Sequence, residues 1–476
     1  MTEVEKIIGD ELQKVVLPLN PDAAFEMSGA TFSYLPASPE TDITVEGVTY
    51  RAQVYRHWEQ RDVQHIVYAP VGEWGNLTWF YRPNTPIPDP SLEGWFLDPN
   101  GNDANDGRTQ ETAWRTLTKA SSVPESMNLW MKRGGEWAGT LTPANGVFIS
   151  AYGEGDMPVI RLPGGKRGID ARGRHNVAID GIAIYGPEYG IDMAGGGNTS
   201  VVGCQFNECG TGVNLAGFGI GAVVDGCWFG HNYETAPGMY GGVAVLIDGS
   251  SIEICNCRIL DQATVAFELY VNGGENKCDG VYIHHNDVYN CPSLIEMASP
   301  NISRTVSNVT LEYNRVYNVA MWLSMHNVAH QTSGEGATFQ NITLGNNTFV
   351  HVKPLSQRLA WAMNIPGAPK PGELYWNNNV FVLGDYWQLA NKSLNWSNLE
   401  RHNNIYWRLH SDTNLSPAAN ASEKVVDPLL VDMAGGNLRP TSSSWCCGNG
   451  IPNNIILDLD NVAVASPPSV GCYECL

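Results

Sequence analysis

The sequence predicts an all-β solenoid, in which short strands wind into stacked coils around one continuous core. Between residues 177 and 406, nine segments share the pattern apolar, any, apolar, any, any, turn residue, any, apolar. Successive turn residues are 22 to 33 positions apart. This spacing is typical of solenoid coils, and the alternation with a period of two indicates strands rather than helices.

The turn position of the repeat predicts a column of stacked side chains. It holds, in chain order, Ile182, Cys204, Cys227, Cys257, Asn286, Asn314, Asn347, Asn379 and Asn404. Adjacent coils lie about 4.8 Å apart, so equivalent side chains should touch. An inward Asn can bond its own turn and the amides above and below it, as in a cross-β ladder. We expect the five Asn to point inward and the three Cys to be buried, reduced thiols.

Residues 1–90 lack the repeat and predict a small β-rich N-terminal module that serves as an adaptor or anchor. Apolar residues on one side of Glu3–Val16 predict a short amphipathic helix. Strand-like segments follow at Ala30–Leu35, Ile43–Val48, Tyr50–Tyr55, Gln64–Tyr68 and Leu77–Tyr81. Four prolines between residues 83 and 90 then predict a linker to the solenoid.

Two motifs flank the repeat and carry a resemblance to a known family. Near the start, Trp95 precedes a loop rich in Gly, Asn and Asp, and residues 113–121 suit a short helix. Near the end stand Val426-Asp427-Pro428 and Gly436-Asn-Leu438-Arg-Pro440. Together they resemble the first and last segments of right-handed parallel β-helix proteins, which include pectate-lyase-like enzymes and phage tailspikes. The resemblance implies that residues 91–450 form such a β-helix, with a helix near 113–121 capping its open end.

Residues 451–476 lie beyond the resemblance and are expected to form a C-terminal tail. Four thiols fall near this end, at Cys446, Cys447, Cys472 and Cys475. Disulfide clamping of the tail, four free thiols, and a zinc site are the three interpretations, although adjacent cysteines are poorly spaced for tetrahedral zinc.

Composition excludes some classes of partner. The formal net charge is −21 although only 16% of residues are charged. Nucleic acid needs a basic patch, so it is not expected as a partner, and a polyanionic glycan would need a bridging cation. The first residues have no basic segment followed by an apolar run, which argues against a secretory signal. The sequence has no run of 18 apolar residues, so insertion into a membrane is not expected.

The strand after each ladder turn suggests a catalytic pair. Aligning these strands places Glu268 directly below Glu296 on the outer surface, with Asp248, Tyr270 and His326 in the next column. Carboxylates one coil apart are about 5 Å from each other, so the pKa of one should rise. The pair suits the acid and nucleophile of a retaining glycosidase, a cation site, or an ordinary solvated face. Nearby aromatic residues suit sugar stacking or, equally, packing on a neighbouring chain: Trp228, Tyr233, Tyr240 and Trp322.

The loop after Trp95 also contains part of a calcium-loop pattern. Asp98, Asn100 and Asn102 alternate as in an EF-hand, but the sixth position is Asp103 rather than Gly and no closing Glu follows. Calcium is therefore an optional cofactor. The resemblance implies that lyases of this fold use a Lys or Arg base, and the aligned strands place none beside Glu268 and Glu296.

These observations predict a phage virion surface protein of the tailspike, fibre or decoration type. The resemblance implies a homotrimer, attached to other virion proteins through residues 1–90, whose β-helix binds host surface polysaccharide with or without cleavage. If the protein is an enzyme, a glycoside hydrolase is favoured over a lyase. One alternative is an exported, extracellular polysaccharide lyase or hydrolase. Another is a structural or glycan-binding solenoid without turnover.

Overall fold

The computed structural model divides the chain into two units: Met1–Glu93 with Asn454–Leu457, and Gly94–Asn453 with Asp458–Leu476. It describes seven strands between residues 2 and 82, and residues 94–475 except 234–240, 272–276, 299–303, 326–336, 353–360, 366–370, 385–387, 391–393, 410–419, 453–456 and 461. Within these residues, no helix has the length and apolar character needed to cross a bilayer.

The first unit is built from antiparallel strands. They are β1 (Thr2–Glu5), β2 (Lys14–Leu17), β3 (Tyr34–Pro36), β4 (Thr41–Val45), β5 (Val48–His57), β6 (Gln64–Pro70) and β7 (Thr78–Arg82). Strands β3 to β7 form one sheet in the order β3-β5-β6-β7, with β4 on β5. Four of the five strand predictions are confirmed within a few residues, and the first overlaps β3 at Tyr34 and Leu35, its earlier residues lying outside the described ones. The helix predicted over Glu3–Val16 is wrong. Strand β1 pairs with β2 instead, as suits the β-branched residues near both ends of that segment.

The second unit winds into stacked coils of short parallel strands. Its elements are β8 (Trp95–Leu97), α1 (Leu117–Ala120), β9 (Asn128–Lys132), β10 (Glu136–Trp137), β11 (Phe148–Tyr152), β12 (Val159–Arg161), β13 (Arg167–Asp170), β14 (Ala178–Asp180), β15 (Ala183–Tyr185), β16 (Tyr189–Asp192), β17 (Gly197–Val202), β18 (Gln205–Asn207), β19 (Thr211–Asp225), β20 (Trp228–Gly230), β21 (Val243–Cys255), β22 (Arg258–Leu260), β23 (Val265–Tyr270), β24 (Lys277–His284), β25 (Asp287–Tyr289), β26 (Ser293–Ala298), β27 (Arg304–Glu312), β28 (Arg315–Tyr317), β29 (Leu323–Met325), β30 (Ala337–Gly345), β31 (Thr348–Val350), β32 (Trp361–Asn364), β33 (Leu374–Asn377), β34 (Val380–Leu383), β35 (Gln388–Ala390), a 3-10 turn (Trp396–Asn398), β36 (Glu400–His402), β37 (Ile405–Arg408), β38 (Lys424–Val425), β39 (Leu430–Asp432) and β40 (Asn437–Pro440).

Each coil contributes strands to three faces of the shaft. Face A holds the strands before the ladder turn, such as β24 and β27. Face B is the twelve-stranded parallel sheet that runs from β10 to β38, and it follows the turn. Face C comes next and includes β23 and β26. The long strands β19 and β21 run from face C into the following face A. Strands β39 and β40 form a separate antiparallel hairpin.

The predicted Asn ladder is present at the turn between faces A and B. Each Asn donates its backbone N–H and its side-chain amide to Oδ1 of the next Asn, over 2.9 to 3.1 Å, from Asn286 through Asn314, Asn347 and Asn379 to Asn404. All five side chains are buried. Each side-chain amide also donates to a backbone carbonyl of the preceding coil, as Asn314 does to Ile283 O over 2.9 Å. The ladder thus satisfies polar groups that water cannot reach.

The three cysteines continue this column as expected. Cys204, Cys227 and Cys257 are buried, reduced thiols, and their sulfurs lie 3.5 to 3.8 Å from backbone carbonyls, where the Asn amides bond in later coils. At the other end of the ladder, Asn404 donates to Glu423 Oε1 over 2.9 Å. Glu423 also faces Arg401 across 3.1 Å, so the last amide is closed by an ion-paired carboxylate.

The capping helix near residue 113–121 is short. It spans Leu117–Ala120, and Oγ1 of its N-cap Thr116 accepts from the Lys119 N–H over 3.2 Å. Leu117 and Ala120 are buried against the first coils. A short helix suffices here because it covers the apolar interior at one point, while β8 pairs with β9 to continue the parallel strands of face A.

The C-terminal tail returns along the outside of the shaft. Cys447 and Cys475 form a disulfide, while Cys446 and Cys472 are buried free thiols, so the free-thiol and zinc interpretations of all four are wrong. Gly471 N donates to Asn378 O over 2.7 Å, and Cys472 N donates to Thr348 Oγ1 over 3.0 Å. The tail therefore packs on two successive coils and is tied to the residues that precede it.

Candidate functional site

Glu268 and Glu296 occupy adjacent coils of face C, as the repeat alignment predicted. Strands β23 and β26 pair in parallel, and the two Glu are direct register partners. Adjacent parallel strands lie about 4.8 Å apart, so the two carboxyl groups leave the shaft side by side. Only 7% of Glu268 is exposed, whereas Glu296 is half-buried. The two chemically identical groups therefore stand in different environments.

The electrostatics of the pair follow from this difference in burial. Burial, and secondarily the negative charge of Glu296, raise the pKa of Glu268 to about 7. A carboxyl group that holds its proton near neutral pH can act as a general acid. The arrangement therefore places a protonated carboxyl next to a second, more accessible one.

The residues expected to support the pair are only partly placed. Asp248 lies in β21 and is buried, and Tyr270 is the last residue of β23, with Ala298 as its partner on β26. His326 lies outside the described residues. Of the four aromatic residues expected to suit sugar stacking, Trp228 and Tyr233 are partly exposed, and Tyr240 lies outside the described residues. Trp322 is wrong as a surface residue, because it is buried in the core against Phe349.

A polar column continues from the pair along face C. In register order its polar members are Asp170, Asp192, Asn214, Glu268, Glu296, Ser324 and Asn364, and Leu246 interrupts the column between Asn214 and Glu268. Near the first of these, Arg167 and Arg172 neutralise Asp192 and Asp170. Asn214 then donates to Asp192 over 2.9 Å. The carboxylates at the N-terminal end of the column are thus matched by arginines.

The partial calcium loop is held together by protein groups. Asp98 pairs with Lys132 and also accepts from Asn100 N over 2.8 Å, while Asn102 accepts from Ala104 N over 3.0 Å. Asp103 accepts from the backbone of Arg115 and Thr116. The oxygens of Asp98 and Asn102 therefore stabilise turns, and a cation would have to compete with Lys132.

A buried polar cluster on face A was not anticipated. It contains the buried Asp225, Cys255 and His284 and the partly exposed Glu253, at outward positions of β19, β21 and β24. Asp225, Cys255 and His284 are register partners one coil apart. The signal was present in the repeat, because all three stand two residues before a turn residue.

Face B carries a cleft of about 570 Å³ beside the β39–β40 hairpin. Tyr289 and Tyr317 line it with rings stacked 5.6 Å apart, and Arg258 and Arg315 flank Asp287. Arg315 donates to Gly436 O over 2.7 Å, which joins the hairpin to the shaft. These arginines stand on face B, so neither is the base beside Glu268 that a lyase of this fold would use.

The repeat and the parallel register indicate a β-helix fold. Comparison with known families agrees with this assignment. The family model for the right handed beta helix region matches residues 160–349. The shaft is a right-handed parallel β-helix. No curated protein matches the chain at a significant level. Solved β-helix structures do match it, at identities that show a shared fold alone.

Three solved structures illustrate that similarity. A tailspike protein double mutant of E. coli bacteriophage HK620, in complex with a pentasaccharide, matches with a TM-score of 0.51 and 12% identity, over 72% of this chain and 69% of that one. A rhamnogalacturonan lyase matches with a TM-score of 0.44 and 13% identity, over 66% and 87% of the two chains. An alginate lyase from Paenibacillus sp. str. FPU-7 matches with a TM-score of 0.45 and 13% identity, over 59% of this chain and 97% of that one.

Proposed function

We propose that this β-helix belongs to a phage virion surface protein of the tailspike type and hydrolyses a host surface polysaccharide at Glu268 and Glu296. The carrying observation is that these two carboxyl groups are register partners in the middle of the shaft, one buried and one more accessible. Retaining glycosidases need two carboxyl groups about 5–5.5 Å apart, which is close to the separation of neighbouring coils. A β-helix tailspike bound to a pentasaccharide shows that the fold accommodates such ligands.

The two carboxyl groups would take different catalytic roles because they differ in burial. Glu268, whose pKa burial raises to about 7, donates its proton to the glycosidic oxygen as the bond to the anomeric carbon breaks. Glu296 attacks that carbon and forms a glycosyl ester. Water, deprotonated by Glu268, then cleaves the ester and regenerates both groups. Tyr270, the last residue of β23, would contact the bound sugar, and the buried Asp248 would support it from the neighbouring strand β21.

The test separates binding from cleavage. Glu268→Gln and Glu296→Gln should each lower the release of reducing ends from host envelope polysaccharide by at least about a hundredfold, while binding is retained. Glu400→Gln, the same change at an exposed residue of β36, is the control and should leave both unchanged. Parent-like cleavage by both variants would overturn the catalytic assignment.

A binding function without turnover is the second candidate, and the cleft on face B favours it. Stacked tyrosines with flanking arginines suit a sugar ring that carries an acidic group. Under this alternative, Tyr289→Ala would abolish glycan binding while the Glu268 and Glu296 variants would not change it. The N-terminal unit is proposed to attach the protein to other virion components, and the functional form is proposed to be a homotrimer.

A further inference from the structure

The buried cluster on face A has the donor chemistry of a metal site. Glu253, Cys255 and His284 each offer one ligand atom, and these three atoms all lie within 4.8 Å of one another. In tetrahedral zinc sites, ligand atoms are about 3.5 Å apart, so shifts of about 1 Å would close the group on an ion. A set of one nitrogen, one sulfur and one oxygen favours zinc over the hard cations calcium and magnesium.

Asp225 supplies an independent observation that points to a ligand. It is only 1% exposed, and its Oδ1 lies 3.4 Å from the Cys255 sulfur. Its other oxygen, Oδ2, is buried and makes no hydrogen bond within the part of the chain that the structure describes. A buried carboxyl oxygen without a partner is costly. A cation held by the neighbouring thiol would remove that cost.

The surrounding contacts would hold His284 as a ligand. Its Nε2 faces Glu253 Oε1 across 2.9 Å, and its Nδ1 faces Nδ1 of His285 across 2.8 Å. The ring also stacks on Tyr282, with centroids 4.1 Å apart. Metal-binding histidines characteristically bond a second group through the nitrogen that does not face the metal. His285 can play that role here, and the contact between Nε2 and Glu253 Oε1 would give way to an ion bound by both groups.

We propose that Glu253, Cys255 and His284 bind one Zn²⁺ ion per chain on face A, with Asp225 beside the Cys255 thiol. The site is distinct from the Glu268–Glu296 pair on face C. It would join the coils that contribute β19, β21 and β24 and stabilise the middle of the shaft. The competing explanation is a metal-free cluster held by shared protons.

The test uses the full-length protein prepared in metal-free buffer and incubated with ZnCl₂. After dialysis, elemental analysis should find one zinc per chain, and the melting temperature should exceed that of the metal-free form. Cys255→Ser and Glu253→Gln should each weaken zinc binding by more than about tenfold. Cys257→Ser is the control, since its side chain belongs to the ladder column and lies outside the cluster. It should bind zinc like the parent.

Cobalt provides a readout that does not depend on variants folding well. Co²⁺ bound by the parent should show an intense near-ultraviolet thiolate-to-metal band, which requires the Cys255 sulfur as a ligand. The inference is overturned if the parent retains no stoichiometric zinc, if bound Co²⁺ shows no such band, or if both cluster variants bind zinc like the parent. None of these readouts involves glycan, so they test the zinc site independently of the catalytic assignment on face C.

Discussion

The backbone N–H and the side-chain amide of Asn314 both donate to Oδ1 of Asn347, over 3.0 and 2.9 Å. The same two bonds recur between neighbouring Asn from Asn286 to Asn404, so one oxygen per coil accepts from two donors of the preceding coil. This geometry holds the turn between faces A and B at the same place in every coil of that region.

Replacing Asn314 with Leu should therefore destabilise the β-helix. The change leaves the buried Asn286 N–H and the Ile283 carbonyl without these partners, at an expected cost of roughly 3 kcal/mol in the free energy of unfolding. Urea denaturation followed by circular dichroism measures it. Asn437→Leu, at an exposed position of β40, should cost less than about 1 kcal/mol. Equal effects of the two substitutions would contradict a special role for the ladder.

The buried carboxyl of Glu268 should make stability depend on pH. Its pKa is raised to about 7 in the folded protein, above the ordinary value of 4.5, so the folded state binds more protons between these values. Stability contributed by this group is then fully present below about pH 4.5 and is lost as the pH rises to about 7. Glu268→Gln removes that loss. The variant should be more stable than the parent at pH 8, and the difference should shrink towards pH 4.5.

Denaturation curves of parent and Glu268→Gln at pH 4.5, 6 and 8 test this directly. Glu400→Gln serves again as the control because its side chain is exposed. A stability difference that stays constant with pH would show that Glu268 is not held in its protonated form by burial. The result bears on the proposed acid without requiring a substrate.

The tail disulfide predicts a definite thiol count. The chain has eleven cysteines, and only Cys447 and Cys475 are bonded to each other. A thiol reagent should detect nine thiols in the unreduced, denatured protein, matching the nine free cysteines, and eleven after reduction. Since the bond closes a loop of 28 residues, Cys447→Ser should lower stability by about 3 kcal/mol. Peptide mapping that joins Cys446 or Cys472 to another cysteine would contradict the assignment.

A homotrimer should have about three times the 51.9 kDa mass of one chain. Val425, Leu429 and Val431 are exposed by 41 to 56% around β38 and β39, and a neighbouring shaft could cover such an apolar surface. Light scattering at micromolar concentration measures the mass. Val431→Asp should weaken association, whereas Val159→Asp, at a half-buried position of β12, tests the same change elsewhere. A monomer in the parent would count against the trimer.

Much of the fold could be predicted from the sequence because a solenoid is built from neighbour contacts. Each coil pairs mainly with the coils before and after it, so a repeated local pattern determines which residues meet. The Asn column and the register of Glu268 on Glu296 both follow from aligning the repeats. The helix predicted near the N-terminus failed because apolar spacing in a short segment does not distinguish a helix from two β-branched strand ends.

Only the tertiary structure decided what covers the shaft and how the outward groups are buried. Glu268 and His284 occupy outward positions, which the repeat alone would place in solvent, yet both are buried. The sequence likewise left the pairing of the four C-terminal cysteines open. That pairing, and the bond from Arg315 to Gly436, join residues 28 and 121 positions apart that share no repeat. Local periodicity carries no information about such contacts, since they depend on where the chain returns after the last coil.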